Sequence, residues 1–516
     1  MIKIIVVTMS REYQVFVRES TGLVKAANFW DAISINIANM SVGAALATIG
    51  FTLAALPTVA GANLVYASLI AAIFAIPQVI VYSTLIRYMP RVGGDYVWLG
   101  RALGPRLAWL TNGLVLGFII ESLAYYALIA FAAVFQLESV LPILGINVSL
   151  SLPEEIGIAI AFFAVIVLAN ILGTRYGIKL MTALTIVSLL GLLTAIIILF
   201  ITPRAQAVSA ISSLLPSGYT YSKIALNYSG PLFSMNTILM LLPFFAIYVY
   251  PWLNAGPAIA SEIKGKNALY WNVPMAFLFT LVFLTLGFEA MYYSLGFNFI
   301  TAALSNSNLN GIINFWDIAM VLPHNAALSW FIGITSVTWY LAVLAYGAIV
   351  VVRYWFALAF DRVWPSFFAY LSPRFGTPIY AHLFDLAVTA ALIAAAGFLY
   401  QTFTALYGAV VEAIIYYMAV GIAAVLIATI RYSSFNLSNV SRALLIIFGM
   451  LMASVMAYLT YEFLAYPQIW GGNWLAYGVE IGAVVLGMVI YVVSRHINLR
   501  KYGIDIAVTY TEIPPE

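Results

Sequence analysis

Cysteine is absent from this chain of 516 residues, and charge is scarce, with Asp, Glu, Lys and Arg making up only 8% of it. The first absence excludes disulfides and thiolate metal sites. The second argues against a soluble globular fold, in which about a quarter of the residues carry charge. Histidine is nearly absent too: His324, His382 and His496 lie far apart and give no metal-ligand spacing. Gly93-Gly94 lacks the Gly-Lys-Ser/Thr ending of a phosphate loop, and no such loop occurs elsewhere, which speaks against ATP as an energy source within the chain. No cofactor is expected, and a net charge of +3 asks for no nucleic-acid partner.

What remains is apolar. Hydrophobic residues make up 64% of the chain, with 12 Trp, 33 Tyr and 32 Phe. A lipid bilayer is the solvent that suits such a chain, and aromatic rings gather at its interfaces. Apolar runs long enough to cross it lie near 29–55, 63–86, 106–136, 155–173, 178–202, 234–261, 273–297, 328–358, 379–398, 403–430, 440–464 and 474–495, about twelve spans in all. With the N-terminus inside, every one of the 22 Lys and Arg except Arg204 and Lys223 falls on the cytoplasmic side. That asymmetry follows the positive-inside rule and predicts a multi-pass cell-membrane protein with both termini cytoplasmic. The N-terminal apolar run Ile4-Ile5-Val6-Val7 is too short for a signal peptide, and Met1 and Met9 both stand as starts. Segment 298–327, with Asn306, Asn308, Asn310, Asn314 and Phe315-Trp316, reads as a structured cap on the outer face, and the tail from 499 as disordered.

Two spans carry interruptions. The first contains Asn36, Asn39, Ser41 and Gly43 within eight residues, poor material for a helix facing lipid. The sixth contains Tyr248-Val-Tyr250-Pro251-Trp252-Leu-Asn254-Ala-Gly256-Pro257, where two prolines each remove a backbone N–H. A proline kink alone would account for the sixth. Breaks at matching positions of two putative five-span halves point instead to a transporter binding site, because unwound backbone at mid-membrane needs polar partners that a substrate can supply.

The loop motifs add a resemblance. Pro90-Arg-Val-Gly93-Gly94-Asp-Tyr96…Arg101-Ala-Leu-Gly104-Pro105 is similar to a signature of the amino acid–polyamine–organocation (APC) permeases. Asn170-Ile-Leu-Gly173, Ser261-Glu262-Ile-Lys264 and Arg353…Asp361…Pro365 with Thr377-Pro378 resemble further stretches of that family, in order. The resemblance implies an all-α membrane protein of about twelve transmembrane helices with a LeuT-type fold, a 5+5 inverted repeat with broken helices 1 and 6, plus two C-terminal helices. The corresponding division is an N-terminal tail 1–28, a first repeat 29–202, a loop 203–233, a second repeat 234–430, helices 11 and 12 at 431–498 and a tail 499–516. The chain departs from the family in having Ser41-Val42-Gly43-Ala44 where Gly-Ser-Gly is common, Asn254 where Glu often follows the sixth break, and Ser188 where some proton-coupled relatives place a Lys.

The substrate-binding candidates are Ser41, Val42, Gly43, Ala44 and Ala45, whose amides the family implies hold a carboxylate, with Tyr248, Tyr250, Trp252 and Asn254 at the sixth break. Helix packing by small residues and aromatic packing are the competing readings. Glu121, in the middle of the third span, joins them as a partner for a substrate ammonium or a carrier of a proton, against a neutral structural role. Glu289 and Glu412 raise the same question. The expected activity is secondary transport of an amino acid or related amine by alternating access, not catalysis. A non-transporting solute sensor and a membrane-embedded enzyme are the alternatives, the latter weakened by the scatter of acids and the want of a His pair. The coupling ion, H⁺ or Na⁺, and the oligomeric state stay open at this point.

Overall fold

A computed structural model describes residues 21–400 and 408–514. The choice between Met1 and Met9, the basic residues Lys3, Arg11 and Arg18, and the start of the tenth span lie outside the described residues. Within them the fold is helical. Eleven helices are long and apolar enough to cross a membrane, counting Phe29–Ala55 as one, and a twelfth apolar helix, Met235–Tyr248, is cut short. The expected twelve spans thus correspond to these eleven stretches and the short helix, with Phe29–Ala55 itself interrupted after Asn39.

The helices in chain order are α1 (Phe29–Asn39), α2 (Val42–Ala55), α3 (Leu64–Tyr88), α4 (Asp95–Leu103), α5 (Ala108–Ile143), α6 (Leu152–Ile171), α7 (Thr174–Ile201), α8 (Arg204–Ile211), α9 (Tyr221–Leu226), α10 (Met235–Tyr248), α11 (Ala255–Ala258), α12 (Lys266–Leu295), α13 (Phe297–Leu304), α14 (Phe315–Val321), α15 (Ala326–Phe360), α16 (Ile379–Tyr400), α17 (Val410–Thr429), α18 (Asn439–Ala465) and α19 (Trp474–Tyr502). Several begin where a side chain caps the free amides of the first turn. Asn28 and Asp31 form a capping box on α1, and Asn63, Ser234 and Asn473 cap α3, α10 and α19.

Helices α5 and α15 run through the middle of the bundle and are almost wholly buried, whereas most residues of α6, α18 and α19 are half-buried or exposed. Val165, Leu168, Ile447, Leu451, Val485 and Val489 are among the side chains turned outward. Greasy surface outside and a packed interior suit a bundle standing in lipid. The segment between α12 and α15 forms helices α13 and α14, and Asn310 Nδ2 donates to the Gly50 carbonyl at 3.3 Å, seating this segment on α2.

Both ends of the described chain reach one face, here called the termini face. Ala27 pairs with Ile263, and the Arg91 Nε–H donates to the Pro514 carbonyl at 2.5 Å. The tail corrects the expectation of disorder. Helix α19 continues to Tyr502, and a 3₁₀ turn over Ile506–Tyr510 packs back onto α4. Tyr510 is buried, shares a hydrogen bond of 3.0 Å with the Tyr96 hydroxyl and accepts one of 2.7 Å from Asn112 Nδ2. Burying this ring offsets the entropy of ordering the tail, which composition alone does not reveal.

Two arginines counted among the loop charges are interior. Arg353 donates to both oxygens of Glu262 at 2.7 and 2.8 Å, and Arg101 to both of Asp361 at 2.9 and 3.2 Å. All four side chains are at most 3% exposed, so neither charge in a pair has water to fall back on. By contrast Lys179, half exposed, meets buried Asp31 at 2.9 Å near the start of α1.

Removing one partner of such a pair strands the other charge. Arg353→Met is expected to destabilise the protein by about 3–5 kcal/mol, while the neutral double variant Arg353→Met/Glu262→Gln recovers most of the loss. Thermal unfolding midpoints of the purified proteins in detergent check this, and equal midpoints for the single and double variants would contradict it.

Candidate functional site

The first break is short. Helix α1 stops at Asn39, and α2 begins at Val42 behind Ser41, whose side chain makes no capping bond. The hydrogen-bond ladder of α2 opens with the Ala45 N–H on the Ser41 carbonyl, so the amides of Gly43 and Ala44 precede it. Ser41, Val42, Gly43, Ala44 and Ala45 are all buried. Gly43 is required by a close approach: a Cβ there would sit 2.2 Å from Cγ of Trp339 on α15. The Trp316 indole N–H, from α14, donates to the Gly43 carbonyl at 3.0 Å. Two polar atoms beside this break, Ser41 Oγ and Trp339 Nε1, are buried with no hydrogen-bond partner.

The sixth break is longer and better satisfied. Helix α10 ends at Tyr248, and the chain resumes a single helical turn only at α11. Gln78 Nε2 of α3 donates to the Pro251 carbonyl at 2.7 Å, and the Trp252 indole N–H returns to the Ile247 carbonyl at 2.8 Å. The asparagines of the first span serve the sixth. Asn36 accepts from the Gly256 N–H at 2.8 Å and donates to Asn272 Oδ1 at 2.8 Å, while Asn39 Nδ2 donates to Asn254 Oδ1 at 2.9 Å. Their clustering in the sequence thus has a cause: they take up backbone and side-chain groups that unwinding exposes away from water.

Asn254 is a junction. Besides Asn39, it accepts from the Tyr417 hydroxyl at 2.9 Å and donates to the Tyr354 hydroxyl at 3.0 Å. Tyr354 in turn donates to Asp95 Oδ1 at 2.6 Å, where Tyr416 joins it at 3.1 Å, and Tyr82 donates to Oδ2 at 2.7 Å. Three hydroxyls from α15, α17 and α3 therefore converge on one carboxylate at the start of α4. Burial pushes the Asp95 carboxyl up to about 6, although the three tyrosine hydrogen bonds pull the other way. Gly94 makes the placement work. Its φ of 41° lies in the left-handed region, and a Cβ there would sit 2.6 Å from the Pro257 carbonyl carbon. The Gly93 N–H donates to the Ala258 carbonyl at 2.9 Å, so the Gly-Gly turn lies directly on the end of the sixth break.

The predicted residues divide accordingly. Ser41 to Ala45 line the first break, with Trp339 against them. The Trp252 ring stacks on Tyr125 of α5, centroids 5.1 Å apart and 17° from parallel, and meets Tyr417 edge-on at 6.0 Å. Glu121 is buried one helical turn before Tyr125. Tyr248 packs on Phe244. The Tyr250 hydroxyl bonds Ser68 of α3 at 3.1 Å, and Ser68 bonds Thr285 of α12 at 2.9 Å, so Tyr250 ties the break to those helices. Ser188 faces Thr338 at 2.7 Å. Sequence reasoning passed over Trp339, Asp95 and the tyrosines 354, 416 and 417. Asp95 stood inside a quoted motif and was legible as an acid beside a Gly-Gly turn; an aromatic residue among many in α15 gives no such signal.

A profile described as amino acid permease matches residues 28–489. Over 101 residues the chain is also similar, at 32% identity, to uncharacterized protein 399 of Sulfolobus islandicus rod-shaped virus 1. That match covers 18% of this chain and 25% of the viral protein, so the chain spans about a quarter of the length of the curated relative it matches. Nearly the whole chain fits the profile, the helices suit a multi-pass membrane protein, and the class is one of transporters and not of enzymes: the chain belongs to the amino acid permease family.

Proposed function

We propose that the protein is a secondary transporter for an amino acid or related amine, working by alternating access with the substrate held at the first break. One observation carries this reading. The sixth break has its polar groups largely occupied by side chains of the protein, whereas the first leaves the Ser41 hydroxyl and the Trp339 indole N–H buried and unpaired beside the amides that open α2. Donors gathered at a helix N-terminus favour a carboxylate. Trp252 of the second interrupted span stacks on Tyr125 of α5, which ties that break to α5.

Contacts tie the helices together at both ends of the bundle. Trp316 and Asn310 hold α2 on one side, and Asp95 with its tyrosines, the Arg101–Asp361 pair and the docked tail hold the termini face. Alternating access would open one set while the other stays shut. The distribution of Lys and Arg supports assigning the termini face to the cytoplasm.

Uptake of a labelled panel of amino acids and amines into proteoliposomes tests the reading; no uptake or exchange of any member would count against it. With the substrate found, Gly43→Ala, which drives a methyl into the Trp339 ring, is expected to lower uptake by about tenfold or more, and unchanged uptake would count against this placement of the site. Orientation has its own check in a chain naturally free of cysteine. An impermeant maleimide added to intact cells should label Asn308→Cys and not Asn267→Cys, both exposed positions. The reverse pattern would invert the topology.

Asp95 gives a pH signature. Its pKa is raised on folding, so its contribution to stability is present at low pH and is lost as pH rises through about 6. Between pH 7 and pH 4 the wild type should gain about 2 kcal/mol relative to Asp95→Asn. Unfolding midpoints of the two proteins across that range should diverge; parallel curves would mean that the carboxyl does not titrate there.

A further inference from the structure

Helices α5 and α19 lie side by side, and glycine contacts fix their register. A Cβ on Gly113 would meet Met488 Cγ at 2.7 Å, one on Gly117 would meet Val484 Cγ2 at 2.7 Å, and one on Gly487 would meet the Asn112 carbonyl at 2.4 Å. Numbers rising on one helix against falling numbers on the other make the pair antiparallel. One further turn sets Glu121 of α5 across from Glu480 of α19. A third carboxylate comes from α17: Glu412 Oε1 lies 2.6 Å from where a Gly117 Cβ would stand, one turn from Glu121.

The three side chains are buried, with 0%, 5% and 4% exposure for Glu121, Glu412 and Glu480. Each keeps one carboxylate oxygen buried without a hydrogen-bond partner: Glu121 Oε1, Glu412 Oε1 and Glu480 Oε2. The unpaired Glu412 oxygen is the same atom that lies against Gly117 of α5. Glu480 is within electrostatic reach of both other acids. The other titratable groups facing Glu121 are Tyr126 on its own helix, Tyr346 on α15 and Tyr417 on α17; Asp385 on α16 faces Tyr126. Among the described residues no Lys, Arg or His faces the three acids.

Three ionised carboxylates without a counter-charge are not compatible with a buried site inside a membrane. A proton or a metal cation must balance them. Among the described residues no group of three or more acids and histidines is spaced to hold a metal ion, which favours the proton. We propose that Glu121, Glu412 and Glu480 form a proton-binding site in the membrane interior, each accepting a proton on its free oxygen to give the neutral acid. Its role as the coupling site of transport rests on the transporter reading above. The physical link is Glu121, one turn from Tyr125, whose ring stacks on Trp252 in the sixth break.

Infrared spectroscopy of the full-length protein in lipid bilayers tests proton binding without any substrate. At neutral pH the wild type should show the carbonyl stretch of protonated carboxylic acids, shifted in D₂O, and each of Glu121→Gln, Glu412→Gln and Glu480→Gln should weaken it. A wild type without that band, or a band unchanged in all three variants, overturns the proposal. So does a band removed by NaCl and kept in choline chloride, because the site would then hold Na⁺. The isosteric amides preserve shape, and a wild-type spectrum without the band overturns the proposal even should a variant misfold. For coupling, an inward proton gradient should accelerate wild-type uptake of the substrate from the panel by about tenfold and have little effect on Glu480→Gln. Equal acceleration of both overturns the coupling role. Absence of uptake by every protein counts against the transporter reading alone, with the infrared band still deciding the proton site.

Discussion

The architecture depends on one constraint: a peptide group removed from a helix inside a membrane must find another partner, since no water is there to accept it. Breaking two spans creates several such groups, and the chain answers with short amide side chains placed one span away. Asn36 reaches Gly256, Asn39 reaches Asn254, and Gln78 reaches the Pro251 carbonyl. These bonds make the two breaks a single unit held between α1, α3 and α12. They also create an asymmetry. The sixth break is paired by the protein, and the first is left with free donors, so a ligand adds most where the protein has supplied least.

The Gly-Gly-Asp-Tyr turn carries that unit to the termini face. Gly94 lets the turn lie against Pro257, Asp95 gathers three tyrosines, and Tyr96 joins Asp361 at 2.8 Å and Tyr510. From Asn39 through Asn254 and Tyr354 to Asp95, each group is hydrogen-bonded to the next. Such a chain in a low-dielectric interior resists partial disruption, because a single broken bond leaves a buried polar group unpaired. The termini face and the breaks are therefore expected to move together.

Much of this was legible in the residues. The apolar runs marked the helices, because length and hydropathy are local properties that the bilayer reads directly. The prolines and the polar cluster marked both breaks for the same reason. Tertiary register was not legible. Nothing local in Glu480 says that it stands opposite Glu121, since that follows from glycine contacts between helices more than 300 positions apart. Asn254, which stands where relatives often carry Glu, joins three helices through Asn39, Tyr354 and Tyr417, and none of those partners is near it in sequence. Arg101 and Arg353 carried the right charge for a topology signal, but their burial against Asp361 and Glu262 depends on partners distant in the chain. The tail looked disordered because its order comes from a docking surface on α4 and not from its own propensity.

That docked tail bears on biogenesis. Residues 506–514 follow every span in the chain, yet they supply the hydroxyl that Tyr96 and Asn112 bond and the carbonyls that Arg91 and Arg101 bond. While the helices are being inserted one after another, those four side chains wait without these partners. These contacts on the termini face therefore form only after α19 has entered the membrane, so a bundle without it lacks them.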